Sequence, residues 1–192
     1  NSGLQGYLGK WATTGNPGAL RTWAQVLSKA GYRVRAERLL RDTHLVTNPR
    51  DQRRMDLVAS PGSGAVGAWC GVPLFADVTV VSVHTQAGEA RGPAASVDGS
   101  RIRQAVTTKR RTYADVHSST QACLLVLGCE VYGQWCKDAI KIVRELAALR
   151  VQEAPQLLRR SAQHAWSNRW WPLVSTGVQR AIAEALLRDA GS

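Results

Sequence analysis

Apolar residues in this chain recur with two periods, and the order in which the periods alternate predicts the layout of the fold. Over residues 19–30, Leu20, Trp23, Ala24, Leu27 and Ala30 return at helical spacing, and Gly31 follows where a left-handed residue closes a helix. Residues 32–40 then alternate, with Tyr32, Val34 and Ala36 on one face and Arg33, Arg35 and Glu37 on the other, as a half-buried strand requires. After a charged approach over 51–54, a short strand is predicted over 55–59, ended by the turn-forming string Ser60, Pro61, Gly62, Ser63, Gly64. The stretch 74–83 is the most apolar; the β-branched density of Val78, Thr79, Val80, Val81 and Val83 predicts a central strand covered on both faces. A Gly-, Ala- and Pro-rich loop over 85–99, a helix over 100–113 and a fourth strand over 122–127 follow. Three helices then close the chain, over 134–150, 155–166 and 172–187, the middle one with Pro155 at a favourable first-turn position. The sum is an α/β layout with a small, helix-flanked sheet and no internal repeat.

Length and composition add limits. A chain of 192 residues that is 44% hydrophobic can bury one substantial core. The expected division is a poorly ordered lead-in over 1–18, an α/β core over 19–130 and C-terminal helices packed on it over 131–192. The first residues resemble neither a secretory signal nor a transit peptide, so the chain reads as a segment of something larger. No apolar run approaches the roughly 20 residues that cross a bilayer, which predicts no membrane partner. Net charge is +11, from 25 basic against 14 acidic residues, and all but five of the basic ones are Arg. Guanidinium groups fork onto phosphate oxygens, so nucleic acid is the first partner to consider, with the codon bias of a GC-rich genome as the plain alternative. Cys70, Cys123, Cys129 and Cys136 form no CxxC pair, which predicts reduced structural thiols in an intracellular, reducing compartment, with a disulfide or a metal site built with His117 as the alternatives.

The chemistry-bearing residues cluster by predicted position. Asp56 falls within the second strand and Asp77 within the third, so adjacent strands would bring both carboxylates to one side of the sheet. Two carboxylates, with the carbonyl of Val78 or Thr79, make a site for a hard cation, Mg2+ or Mn2+. On the following helix Ile102, Ala105, Val106, Lys109 and Tyr113 share the stripe that faces the sheet, so Lys109 needs an anion to meet it. Glu37, on the polar face of the first strand, is a fourth candidate. The plain alternatives are Asp56 paired with Arg53 or Arg54, Glu37 paired with Arg33 or Arg35, and Lys109 snorkelling along the helix edge. Arg33, Arg35, Arg53, Arg54, Arg103, Arg110 and Arg111 are the candidate backbone-holding cations. Trp166 and Trp170, four apart, are expected to pack in the core rather than stack on bases.

The strings RRMDLV, PLFADVTVVS and AVTTKRRTY, around Asp56, Asp77 and Lys109, resemble the restriction-endonuclease-like, or PD-(D/E)XK, domain downstream of reverse transcriptase in site-targeting non-LTR retroelements. LLVLGCEVYGQW resembles that family's later strand and Gly-containing turn, and the likeness runs over roughly residues 20–187. The resemblance implies an α-β-β-β-α-β core with a small mixed sheet and a C-terminal helical extension. It implies an endonuclease that nicks target DNA, leaving a 3′-hydroxyl to prime reverse transcription. Asp56 and Asp77 would ligate the metal, Lys109 would act at the scissile phosphate and Tyr113 would support the site, while Glu37 in YRVRAERLL matches an acidic position. Implied partners are DNA or RNA and the reverse transcriptase region of the same polyprotein, in the nucleus; pairing of two copies is left open. Two departures stand out: Met55 replaces Pro before the first acid, and Thr79 stands two residues beyond the second acid, where Lys is usual. The alternative is a catalytically inactive, basic nucleic-acid-binding domain of a retroelement-derived protein.

Overall fold

A proline opens the first helix and a glycine closes it. In the computed structural model, which describes residues 17–45, 48–62, 71–84, 89 and 96–190, helix α1 (Pro17–Lys29) begins on Pro17, whose missing N–H costs nothing in a first turn. Gly31, at φ +98°, then reverses the chain into strand β1 (Tyr32–Leu39). A 3-10 turn (Leu40–Asp42), β2 (Arg54–Pro61) and β3 (Leu74–Val81) follow. Next come α2 (Ser100–Thr112), a short α3 (Ala114–Ser118), β4 (Cys123–Glu130), α4 (Lys137–Arg150) and α5 (Gln156–Ala190). The strands form one mixed sheet in the order β1-β2-β3-β4. The first three are antiparallel neighbours, whereas β3 and β4 run parallel, from Leu74 beside Cys123 to Val81 beside Glu130. A parallel pair needs a long crossover, and α2 and α3 lie in it.

Each face of the sheet has its own cover. Helix α1 packs on β1 and β2, α4 on β4, and α5 on both α1 and α4, while α2 lies over β3 and β4. Trp23 and Leu27 of α1, Leu57, Leu74, Ala76 and Leu127 of the sheet, Ile142 and Leu146 of α4 and Trp170 of α5 form one continuous core. The C-terminal helices therefore share the core of the sheet. A smaller cluster of Leu40, Met55, Phe75, Tyr113, Val116 and Leu124 fills the space beneath α3. All eight residues of β3 are buried, as a strand with two covered faces requires.

The outer edge of β4 is covered by the segment leading into α4. The Cys136 N–H donates to the Gly128 carbonyl and the Glu130 N–H to the Gln134 carbonyl, both at 2.9 Å, and the Cys136 thiol donates to the Val126 carbonyl at 2.9 Å. Cys136 also caps α4, its sulfur accepting the Ala139 N–H. None of Cys123, Cys129 and Cys136 is in a disulfide; Cys70 lies outside the described residues.

Two expectations change. The last two predicted helices are one helix of 35 residues with Pro172 inside it. That proline removes one N–H and crowds the carbonyl of Asn168, a cost of about 3 kcal/mol. Trp170, Val174, Val178 and Ile182, spaced by four and buried, form a continuous stripe on both sides of it, and losing one such large side chain costs a comparable 3–5 kcal/mol. Packing outweighs propensity here. The predicted helix over 100–113 breaks at Tyr113 and restarts as α3. Of the expected lead-in, residues 1–16 lie outside the described residues and Pro17 and Gly18 are already helical; most of the 85–99 loop also lies outside. No described helix is long and apolar enough to cross a membrane.

Candidate active site

The ladder between β2 and β3 runs through Ala59 beside Leu74, Val58 beside Phe75 and Leu57 beside Ala76, and pairs no further. One step on, Asp56 and Asp77 face each other across the gap, on the side of the sheet opposite Leu57 and Ala76. The side chain of Asp56 fills the place of the lost backbone partner: its Oδ2 accepts the Val78 N–H at 2.7 Å. In a strand the N–H and C=O of one residue point the same way, so the Val78 carbonyl looks into the same gap. On the other side of β2, the pairing with β1 skips one position between Ala36–Leu57 and Arg38–Met55. The residue at that position is Glu37, at φ +51°, a left-handed conformation costly for a side-chain-bearing residue. Glu37, Asp56 and Asp77 thus stand at one level on three consecutive strands.

Helix α2 brings the cation. The Lys109 amine donates to Asp77 Oδ2 at 2.7 Å, so the lysine on the apolar stripe meets the acid of the buried strand. Asp77 is 2% exposed, and its other oxygen, Oδ1, is buried with no hydrogen-bond partner among the described residues. Burial, and after it the charge of Asp77, pushes the Asp56 carboxyl up to about 6, against the opposing pull of the Val78 N–H and of Lys109. Tyr113 donates its hydroxyl to the Arg54 carbonyl at 2.9 Å. Burial first, then the charges of Asp77 and Asp56, raise its pKa well above the usual phenol range. Glu37 is mostly exposed and lies 3.8 Å from the Arg54 guanidinium, with a smaller repulsive effect on Asp56. Among the described residues no three His, Cys, Asp or Glu side chains gather as a metal-binding group.

Both ends of α2 are held in place, the first by a residue that sequence reasoning passed over. Glu130, at the end of β4, accepts the N–H groups of Arg101 and Ile102 at 3.1 Å each, placing an anion at the start of a helix whose N-cap, Gly99, has no side chain to offer. Its signal was a charge ending an apolar strand. Gly128 lets the helix rest on the sheet, because a Cβ there would lie 2.5 Å from Ile102 Cδ1. At the other end Arg53 donates to the Thr112 carbonyl, to Asp115 and to Asp51, at 2.6–3.2 Å.

The candidate arginines divide accordingly. Arg53 is a clamp between β2 and the end of α2, and Arg110 is bound to both oxygens of Asp138 on α4 at 2.9 and 3.0 Å, so neither presents a free guanidinium. Asp56 pairs with neither Arg53 nor Arg54, and Glu37 meets Arg54 rather than Arg33 or Arg35. Arg103 donates to the Asp98 carbonyl at 2.8 Å; Arg33, Arg35 and Arg111 are exposed. Trp170 is fully buried, with Trp166 at 5.3 Å between ring centres, and Trp135 joins Trp23 at 5.9 Å and Trp171 at 5.4 Å. Compared with protein-family models and with curated proteins, the chain matches none.

Proposed function

We propose that this chain is a metal-dependent endodeoxyribonuclease with a restriction-endonuclease-like core, of the PD-(D/E)XK type, acting on target DNA within a retroelement-derived protein that also carries a reverse transcriptase. One observation carries the reading: a buried carboxylate, Asp77, has one oxygen on Lys109 and the other, among the described residues, without a donor within hydrogen-bond geometry, and it faces a second carboxylate, Asp56, that it repels. Orphaned acceptors and repelling acids are both relieved by a hard divalent cation. Magnesium and manganese are held by as few as one or two carboxylates and keep several waters, so Asp56, Asp77 and the Val78 carbonyl are a sufficient set. Such an ion supplies charge neutralisation at the phosphate and a more acidic water.

The chain's own residues do the rest. The Lys109 ammonium, beside the acids, stabilises charge developing on a non-bridging phosphate oxygen. Tyr113 stays protonated and, through its bond to the Arg54 carbonyl, ties the end of α2 to β2 and so keeps Lys109 over Asp77. Glu37 adds a third negative charge at the rim. The exposed Arg33, Arg35 and Arg111 draw the DNA backbone. A nuclear location follows from this reading.

The test is nicking of supercoiled plasmid with Mg2+ or Mn2+, with Asp77→Ala alongside. Loss of nicking with retained plasmid binding supports the enzyme; equal nicking by both proteins assigns the activity to a contaminant and sinks the proposal. The second reading is an inactive nucleic-acid-binding domain. It is favoured by the 2.7 Å bond between Lys109 and Asp77, which already gives the buried acid a counter-charge. Equal plasmid binding without nicking by either protein would select it.

A further inference from the structure

Helix α1 covers the face of the sheet away from Asp56 and Asp77, and α5 packs on α1, running antiparallel to it in close contact. A Cβ on Gly18 would lie 2.9 Å from that of Ala181, and one on Gly177 would lie 2.0 Å from Thr22 Oγ1. Above this floor the helices part into a cleft of about 520 Å3, lined by Arg21 and Gln25 of α1 and by Arg169, Thr176, Arg180 and Glu184 of α5. Arg169, Thr176 and Arg180 are seven and four residues apart, so they form one ridge along α5, with Arg21 on the facing wall. At 1.5 Å per residue the two α5 arginines stand about 16 Å apart along the axis. Among the described residues none of the three arginines has an ion pair, whereas Arg53 and Arg110 are both ion-paired; Arg169 lies over the Trp166 ring at 5.6 Å.

We infer that this cleft binds the phosphodiester backbone of a nucleic-acid strand, as a second site on the opposite side of the sheet from the carboxylates. Three arginines line one groove, and each guanidinium can fork onto two oxygens of a phosphate. The ridge is long enough to lay several phosphates along it, since one strand of a duplex presents a phosphate every ~3.4 Å of axis. A narrow groove between two helices admits one backbone rather than a whole duplex. The net charge of +11 favours a polyanion over a single small anion. The site stands on its own residues and holds whether or not the carboxylates cut DNA.

The experiment is fluorescence anisotropy of labelled single-stranded and duplex DNA and RNA, titrated with the full chain at several salt concentrations. In the triple variant Arg21→Ala, Arg169→Ala, Arg180→Ala, the slope of log affinity against log salt for a single strand is expected to flatten by about 2, from three contacts at ~0.7 each. Replacing the same three by Lys should keep most of the slope, and Asp77→Ala should leave it unchanged, which separates this site from the proposed nuclease centre. The arginines are exposed, so folding should survive; should the triple variant unfold, Arg21→Gln and Arg180→Gln read the same slope singly, ~0.7 each. Unchanged slope and affinity for every oligonucleotide would overturn the inference. So would a polyglutamate peptide that loses affinity in the variant while the oligonucleotides do not, which would assign the cleft to an acidic protein.

Discussion

Asp56→Asn is expected to stabilise the protein at neutral pH while abolishing any metal-dependent nicking. The Asp56 carboxyl sits at about 6 in the folded chain against an ordinary 3.8, because it is buried and because Asp77 faces it. A folded pKa above the unfolded one means that the folded state holds the proton more tightly. Its contribution to stability is full below pH 3.8 and is lost as pH rises through 6. Carried to pH 8, the difference is ~3 kcal/mol of destabilisation by the ionised group. Asparagine keeps an oxygen for the Val78 N–H, so the substitution removes the charge and leaves the bond; after the burial of the amide itself, a gain of about 1–2 kcal/mol should remain. Asp51 and Asp115 do not confuse the window. Arg53 holds both below the ordinary carboxylate range, so their effect has the opposite sign and falls below pH ~4. Urea unfolding in EDTA at pH 5 and pH 8 reads the difference: the native chain loses stability between the two, and the variant loses less. Added Mn2+ should then restore the native chain by about 2.7 kcal/mol at a hundredfold excess over its dissociation constant, and should do little for the variant. A variant less stable than the native chain at pH 8, or an equal response of both to Mn2+, would refute the reasoning.

Three further substitutions probe the surroundings. Lys109→Met leaves Asp77 buried without its counter-charge and should cost about 2 kcal/mol in thermal unfolding, less than the 3–5 of a fully buried pair because the lysine is a third exposed; adding Asp77→Asn should recover most of it, and simple additivity of the two would argue against the pair. Tyr113→Phe removes one hydrogen bond to the Arg54 carbonyl and should cost about 1 kcal/mol in urea unfolding; on the proposed nuclease reading, nicking should also fall through a lower kcat at unchanged plasmid binding. Gly177→Ala forces a Cβ to within 2.0 Å of Thr22 Oγ1 and should lower stability by about 2 kcal/mol, recovered in part by Thr22→Ala; a neutral effect would mean that the helices part easily along the cleft floor.

What was legible in the sequence was whatever repeats locally. Period-two alternation marked β1, an unbroken β-branched run marked β3, and period-3.6 spacing put Lys109 on the sheet-facing side of α2, where it meets Asp77. Tertiary geometry decided what remained. Pro172 read as a helix start because propensity is local, while the burial of Trp170 and Val174 on either side of it is not. Arg53 read as a backbone-binding cation because its acceptors, Asp115 and the Thr112 carbonyl, lie about sixty positions away. Glu130 looked like the end of a strand until the next helix in space, rather than in sequence, supplied its N–H donors. Clefts between helices leave no periodic trace at all, which is why Arg21 and Arg180 carried no signal.

The left-handed Glu37 stands at the level of the sheet where Asp56 and Asp77 meet. A non-glycine residue held at φ +51° in the middle of a paired strand costs of order 1–3 kcal/mol, and it persists only where the neighbours over-determine it. Its neighbours here are Ala36 and Arg38, both in register with β2, so the strain is confined to the one position across from Asp56. At the same level the β2–β3 ladder stops and Asp56 takes up a backbone N–H with its side chain. Two interruptions of backbone pairing and a facing pair of acids therefore coincide at one level of the sheet, where uninterrupted pairing and apolar side chains would have been more stable. A fold that keeps three separate destabilising features together, and then clamps the adjoining helix at both ends with Glu130 and Arg53, is organised around that level rather than merely tolerant of it.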